Sequence, residues 1–267
     1  MPFHGWAPDV YPSAPAPVSA MLAGLLGKTA GLYALARLAY DVFGMPVQLS
    51  NALLALGTLS MVAGALLALG QVDFKRMLAY SSISQIGYVV VGLAIGTPLG
   101  VLGGLFHLFN HGVFKSLLFL NAGSTEYSAG TRDMDKLGGI SNRMPITGLT
   151  TSIGMFSIAG IPPFNGFWSK LIIIIALVQA QMYGIAVIAI GTSILTLWYF
   201  LWMQRRVFFG KLAEGLEKLK EVPFSMTFAT FSLALLCLVI GVGFYWVAQY
   251  LIEPGVVALL GQGTGLF

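Results

Sequence analysis

Seven stretches of the chain stay apolar for about twenty residues or more without alternating, at roughly 18–40, 49–70, 77–96, 100–122, 146–178, 183–204 and 223–250. Each can carry a helix across a hydrocarbon layer about 30 Å thick, at ~1.5 Å per residue. A transmembrane barrel would alternate polar and apolar residues along each strand instead. Only 9% of the residues are charged while 57% are hydrophobic, with a mean hydropathy of +0.84. A soluble domain carries roughly 25% charge, so too little polar surface remains to cover a water-borne particle. A soluble globular fold, a disordered chain and a nucleic-acid binder working through a basic surface are all excluded. The expected fold is an all-α polytopic membrane protein with about seven transmembrane helices, and the lipid bilayer is its first partner. The single cysteine, Cys237, lies in an apolar run, which leaves no disulfide framework and no cysteine metal site.

The fifth stretch, 146–178, is too long for one straight span. Its centre reads Gly160-Ile161-Pro162-Pro163-Phe164-Asn165-Gly166. Two adjacent prolines remove two backbone donors and clash with the preceding turn. The sequence therefore predicts a broken helix, with Gly160, Pro162, Pro163 and Gly166 at the break. Such a break persists in lipid only where protein or a wet cavity satisfies the freed carbonyls. Residues 1–17 are Pro-rich, lack a signal-peptide pattern and read as a connector. Residues 18–250 form the transmembrane domain and 251–267 a tail. The stretch 205–222 reads as a solvated amphipathic segment, and the glycine-rich end at 261–265 as a frayed tail. Of fourteen Lys and Arg residues, ten fall in loops on one side of this plan, and on the other side only Arg37 lies near a helix end. The positive-inside rule then puts the N-terminus in the cytoplasm and the tail outside a cell (inner) membrane.

Three lysines fall inside spans. Lys28 lies mid-helix, Lys115 closes His107-Leu108-Phe109-Asn110-His111-Gly112-Val113-Phe114-Lys115, and Lys170 follows the break. A charge at the bilayer centre costs ~2.5–3.5 kcal/mol on insertion scales, a large share of a net stability of ~5–15 kcal/mol. Such groups need water, a partner or loss of the proton, and a lysine set between dry and wet surroundings exchanges its proton as its neighbours change. No span holds a central carboxylate to pair with them. His107, His111 and Lys115 recur at i, i+4 and i+8, on one helix face and over ~12 Å. A file of titratable groups a turn apart suits a proton wire. It also suits bundle histidines satisfied by neighbours. A metal or haem site is weakly supported, since the remaining histidine, His4, lies outside the spans. Ser81, Ser82, Ser84 and Gln85 form a polar stretch that either lines water or bonds across helices.

The motifs resemble a known family. They are Pro2-Phe3-His4-Gly5-Trp6-Ala7-Pro8-Asp9, Ala14-Pro15-Ala16-Pro17-Val18-Ser19-Ala20, Lys28, Asp73-Phe74-Lys75-Arg76 through Ser82, His107 to Leu120, and Gly160-Ile161-Pro162-Pro163 to Ser169-Lys170. In this order they resemble the antiporter-like proton-translocating membrane subunits of complex I, of multi-subunit cation/proton antiporters and of membrane-bound hydrogenases. The resemblance implies a C-terminal half, matching helices eight to fourteen of that fold, with one five-helix repeat at about 49–204. Lys28 then matches the central lysine of the eighth helix. His107, His111 and Lys115 match the polar face of the eleventh, and Lys170 the lysine after the second break. The family's paired glutamate and lysine of the first half have no counterpart in this sequence.

The expectation is a half-length antiporter-like subunit of a redox or cation-exchange complex. Its lysine/histidine half-channel, made of Lys28, His107, His111, Lys115 and Lys170, would carry protons or sodium, with Lys75 as an inner-side relay. The alternative is a structural spacer that bridges a redox arm and other transport subunits without conducting ions. The sequence shows no catalytic site and no cofactor-binding motif. Iron–sulfur clusters or other redox centres of an ion-translocating oxidoreductase would belong to partner subunits, one of them a full-length antiporter-like chain.

Overall fold

The computed structural model describes residues 5–265, apart from the side chains of residues 25 and 26. The Pro2–His4 portion of the family-like motif lies outside the described residues. Ten helices account for most of the described chain, and among the described residues there is no strand, only an isolated bridge between Asp73 and Asp133.

A short α1 (Ala7–Ser13) precedes α2 (Ala16–Val42), which runs continuously through two π-helical turns at Leu22–Leu26 and Leu38–Val42. Then come α3 (Val47–Leu69), α4 (Phe74–Ala94) and α5 (Pro98–Ala129). A broken pair follows, α6 (Pro145–Ala159) and α7 (Asn165–Gln179). The chain closes with α8 (Tyr183–Val207), α9 (Phe224–Val242) and α10 (Phe244–Leu260). Helices α2, α3, α4, α8 and α9 are each long and apolar enough to span a membrane alone. Helix α5 has 32 residues, about 48 Å at ~1.5 Å per residue, and is more polar. The protein is a multi-pass membrane protein.

Local sequence sets the helix ends. The Asp73 carboxylate accepts the Arg76 N–H at 2.9 Å and caps α4, and Thr97 does the same for α5 through Gly100 at 3.2 Å. Gly130 ends α5 in the left-handed region with φ 69°, where a side chain would be strained. The connector read at 1–17 contains a helix, because Pro8 sits in the first turn of α1, where its missing N–H costs nothing. The end of the chain is likewise ordered: Glu253 accepts hydrogen bonds from the Thr264 N–H and hydroxyl, so this segment is tied back and is not frayed. The stretch 205–222 leaves helix after Val207 and is not solvated throughout. Its Leu219 and Val222 are buried, and Glu221 accepts the Ile146 N–H at 2.9 Å and the Thr147 hydroxyl at 2.6 Å, capping α6.

Helix α4 is buried nearly all round and forms the centre, packed against α3 on one side and α5 on the other. The α3–α4 crossing is close. A Cβ on Gly87 would meet the Gly57 carbonyl and the Met61 nitrogen at 2.6 Å, so only glycine fits. Helix α5 in turn contacts α2, α6, α7 and α9. The two central helices thus bring Lys75, the serines, Gln85, the histidines and Lys115 into the core, while the outer helices expose apolar faces.

Candidate ion pathway between the central helices

At the break the chain leaves helix at Gly160, whose φ of 82° closes α6, and re-enters it at Asn165. The last carbonyls of α6 are all satisfied. The Gly160 and Ile161 N–H groups serve Phe156 and Ser157. The Lys170 ammonium donates to the carbonyls of Ile158 at 2.7 Å and Ala159 at 3.4 Å, and to the Ser193 hydroxyl at 3.3 Å. Lys170 therefore sits at the C-terminal, negative end of a half-helix dipole. Its Nζ lies 5.0 Å from the Tyr88 ring centroid. Pro162 and Pro163 shape the turn and contribute no side-chain polar atom.

The file on α5 is wholly buried. His107, His111 and Lys115 are each 0% exposed. Lys115 donates to the Leu78 carbonyl at 2.9 Å and to the Ser81 hydroxyl. His107 joins three helices, with Nδ1 2.9 Å from Ser169 Oγ on α7 and Nε2 3.2 Å from Gln85 Oε1 on α4. Ser169 precedes Lys170, so the histidine end of the file meets the lysine of the break. Among the described residues His111 has no hydrogen-bond partner at either ring nitrogen, and its ring packs edge-on against Phe114 at 5.5 Å. Buried polar atoms are seldom left unpaired, so these nitrogens are the open hydrogen-bonding positions of the file between Lys115 and His107.

Lys28 occupies a different setting. Its Nζ is buried and has no acceptor among the described residues, and it lies 5.1 Å from the Tyr11 ring centroid. It borders a cavity of about 540 Å³ between α2, α3 and α4, along with Tyr11, Ser60, Leu56 and Ile86. The ion pairs found among the described residues include none of Lys28, Lys115 and Lys170. Arg37, by contrast, pairs with Asp41 at 2.6 Å near its helix end. Lys75 stands apart from the file. It is 2% exposed and pairs with Glu126 at 2.6 Å. Among the described residues no group of three or more His, Cys, Asp or Glu side chains is placed to hold a metal.

The polar stretch on α4 had already supplied Ser81 and Gln85, whereas Ser169, Ser193 and Glu126 were not singled out for the site. Ser81, Gln85, Ser169, Ser193 and Glu126 contact the lysines and histidines directly. Ser81 and Gln85 follow Lys75 at helical spacing, so the polar stretch on α4 carried the signal. Its other members turn away: Ser84 donates to the Met61 carbonyl of α3 at 2.8 Å, and Ser82 to Leu78 of its own helix at 2.9 Å. Ser193 and Ser169 carried no signal beyond being serines in apolar helices.

A helical membrane bundle with a half-broken helix and a buried, carboxylate-free file of lysines and histidines defines the class: an antiporter-like membrane subunit. Residues 1–196 match the family described as NADH:quinone oxidoreductase/Mrp antiporter, transmembrane, and the chain belongs to that family. It is 36% identical over 273 residues to hydrogenase-4 component B of Escherichia coli (strain K12), covering 93% of this chain and 40% of that one. It is 35% identical over 285 residues to a component of the Na(+)/H(+) antiporter of Alkalihalophilus pseudofirmus, covering 97% and 35%. Among solved structures, a chain of the Mrp complex from Dietzia sp. DQ12-45-1b superposes with a TM-score of 0.88 at 27% identity, covering 98% of this chain and 58% of that one. The chain thus spans about half the length, or less, of the relatives it matches.

Proposed function

We propose that this chain supplies a half-channel for protons or sodium within a multi-subunit membrane complex. One observation carries the reading. Lys115, His111, His107 and Lys170 form a buried file whose ammonium groups rest on hydroxyls and carbonyls and, among the described residues, pair with no carboxylate. Such groups are costly in a membrane and mark ion pathways by default. In this reading Lys170 is the switch beside the break and Lys28 the link toward the basic-loop side. A charge change in a neighbouring chain shifts the protonation of the file, and the ion moves. Similarity to a hydrogenase component and to a cation/proton antiporter component supports other membrane subunits as partners. In this proposal they include a full-length antiporter-like chain, and any redox arm would carry its own iron–sulfur clusters. The distribution of Lys and Arg supports a cytoplasmic N-terminus.

The test is ion flux in proteoliposomes holding the purified complex, driven by a potassium diffusion potential and read with entrapped pH and sodium dyes. Lys115→Ala and Lys170→Ala should each lower flux at least tenfold in complexes that still assemble. Unchanged flux in both would sink the half-channel. If the triple replacement of Lys28, His111 and Lys170 assembles and conducts normally, the chain is a spacer.

A further inference from the structure

A second cavity, about 640 Å³, opens at the end of the bundle that carries the basic loops. Its walls are the Pro12–Pro17 segment, the last turns of α5 and the first turns of α9, and its charged floor is Lys75, Glu126 and Arg132. The walls include the Ser124 hydroxyl, a side chain 1% exposed with no hydrogen-bond partner among the described residues. Glu126 is about one-third exposed at the mouth, whereas its partner Lys75 is almost wholly buried. The walls are mostly apolar, but the cavity is open at its mouth and is lined by Lys75, Glu126, Arg132 and the Ser124 hydroxyl, polar groups that hold water there.

From this site we infer that the cavity is the aqueous mouth through which the transported cation reaches the file, with Glu126 as the carboxylate that receives it. The inference rests on the half-channel reading above. Lys75, Leu78, Ser81 and Gln85 recur on α4 at i, i+3, i+6 and i+10, so they keep to one face leading from the mouth inward. Lys115 bonds to both Leu78 and Ser81, and His107 to Gln85. For a proton the exchange balances as follows. A hydronium in the cavity protonates Glu126 and cancels its charge. Lys75, released from the ion pair, gives one N–H proton to water on the inward side. The Glu126 proton then crosses to the Lys75 amine, which restores the pair. One proton enters from the cavity and one leaves toward Ser81 and Lys115. Sodium would instead take the Glu126 carboxylate as a ligand and displace the ammonium.

The experiment uses the whole complex in native membrane vesicles, with Cys237→Ser as background. Leu120→Cys places a thiol in the cavity wall, about 9 Å inward of Glu126 at ~1.5 Å per residue. Leu235→Cys places one on the outer face of α9, where Leu235 is 51% exposed. A membrane-impermeant quaternary-ammonium methanethiosulfonate should label position 120 from one side only and leave position 235 unlabelled. Glu126→Gln should cut flux at least tenfold, with Glu126→Asp restoring part of it. The pH and sodium dyes identify the ion. Absence of labelling at 120 overturns the aqueous mouth. Normal flux in Glu126→Gln, where Lys170→Ala blocks it, overturns the inlet alone. Normal flux in both variants overturns the half-channel reading as well.

Discussion

Lys28 and Lys170 are both buried cations, but their surroundings assign them different physical burdens. Lys170 satisfies the Ile158 carbonyl of α6 that the break would otherwise orphan, while the Ala159 carbonyl also accepts the Ser193 hydroxyl at 3.0 Å. Its removal takes away a charge-assisted cap as well as a titratable group, and one uncapped buried carbonyl costs ~1–3 kcal/mol. A loss of flux in Lys170→Ala therefore needs a stability measurement beside it. Lys28 donates to nothing among the described residues. Replacing an unpaired buried charge by an apolar side chain of similar volume is neutral or stabilising. Lys28→Met should hold or raise the thermal midpoint of the detergent-solubilised complex while lowering flux. A fall in the midpoint would mean that Lys28 has a structural partner. Glu221 gives a third case, with no tie to transport. Glu221→Ala should destabilise the protein by ~1 kcal/mol, the usual cost of a lost helix cap, and leave flux per assembled complex unchanged. An unaltered unfolding transition would remove the capping role.

Helix packing sets which elements tolerate change. Gly87 lies where α3 and α4 touch backbone to backbone, so Gly87→Val must push the helices apart, at ~1–3 kcal/mol or more. Gly31 on α2 has nothing within 4 Å of a would-be Cβ. Gly31→Ala should stabilise by up to ~1 kcal/mol, the helix-propensity difference. Folded yield and thermal midpoint read both variants, and equal effects would refute the packing argument. The same contrast explains what the sequence made legible. The span positions, the broken helix and the file at His107, His111 and Lys115 rest on hydropathy and helical spacing, which act within one element. The ties across elements had no such periodic mark. Glu221 reaches α6 from a loop some 75 residues later, Ser193 finds Lys170 across a helix pair, and Glu126 finds Lys75 from another helix. Residue type alone does not choose among partners that only tertiary packing brings near. The tail failed for a related reason: its glycines signal a loose end, while one distant acceptor, Glu253, holds it.

Across the whole molecule the charges gather at one end. Arg76 pairs with Asp9, Arg132 with Asp73 and Glu126, and Arg206 with Asp135. These pairs join α1, the start of α4, the end of α5, the loop after it and the end of α8. Exposed ion pairs of this kind add little stability, with a median of ~0–1 kcal/mol each, so their clustering reflects topology more than fold energy. Basic loops are retained on the cytoplasmic side during insertion, and this end also holds the cavity above Lys75. The orientation is therefore testable as one property of the bundle. In the Cys237→Ser background, Gly215→Cys marks the loop between α8 and α9, and Gln181→Cys the turn between α7 and α8. In right-side-out vesicles an impermeant thiol reagent should label position 181 at once and position 215 only after permeabilisation. The opposite pattern would invert the bundle. It would place the Glu126 mouth outside the cell and reverse the direction in which the file loads its ion.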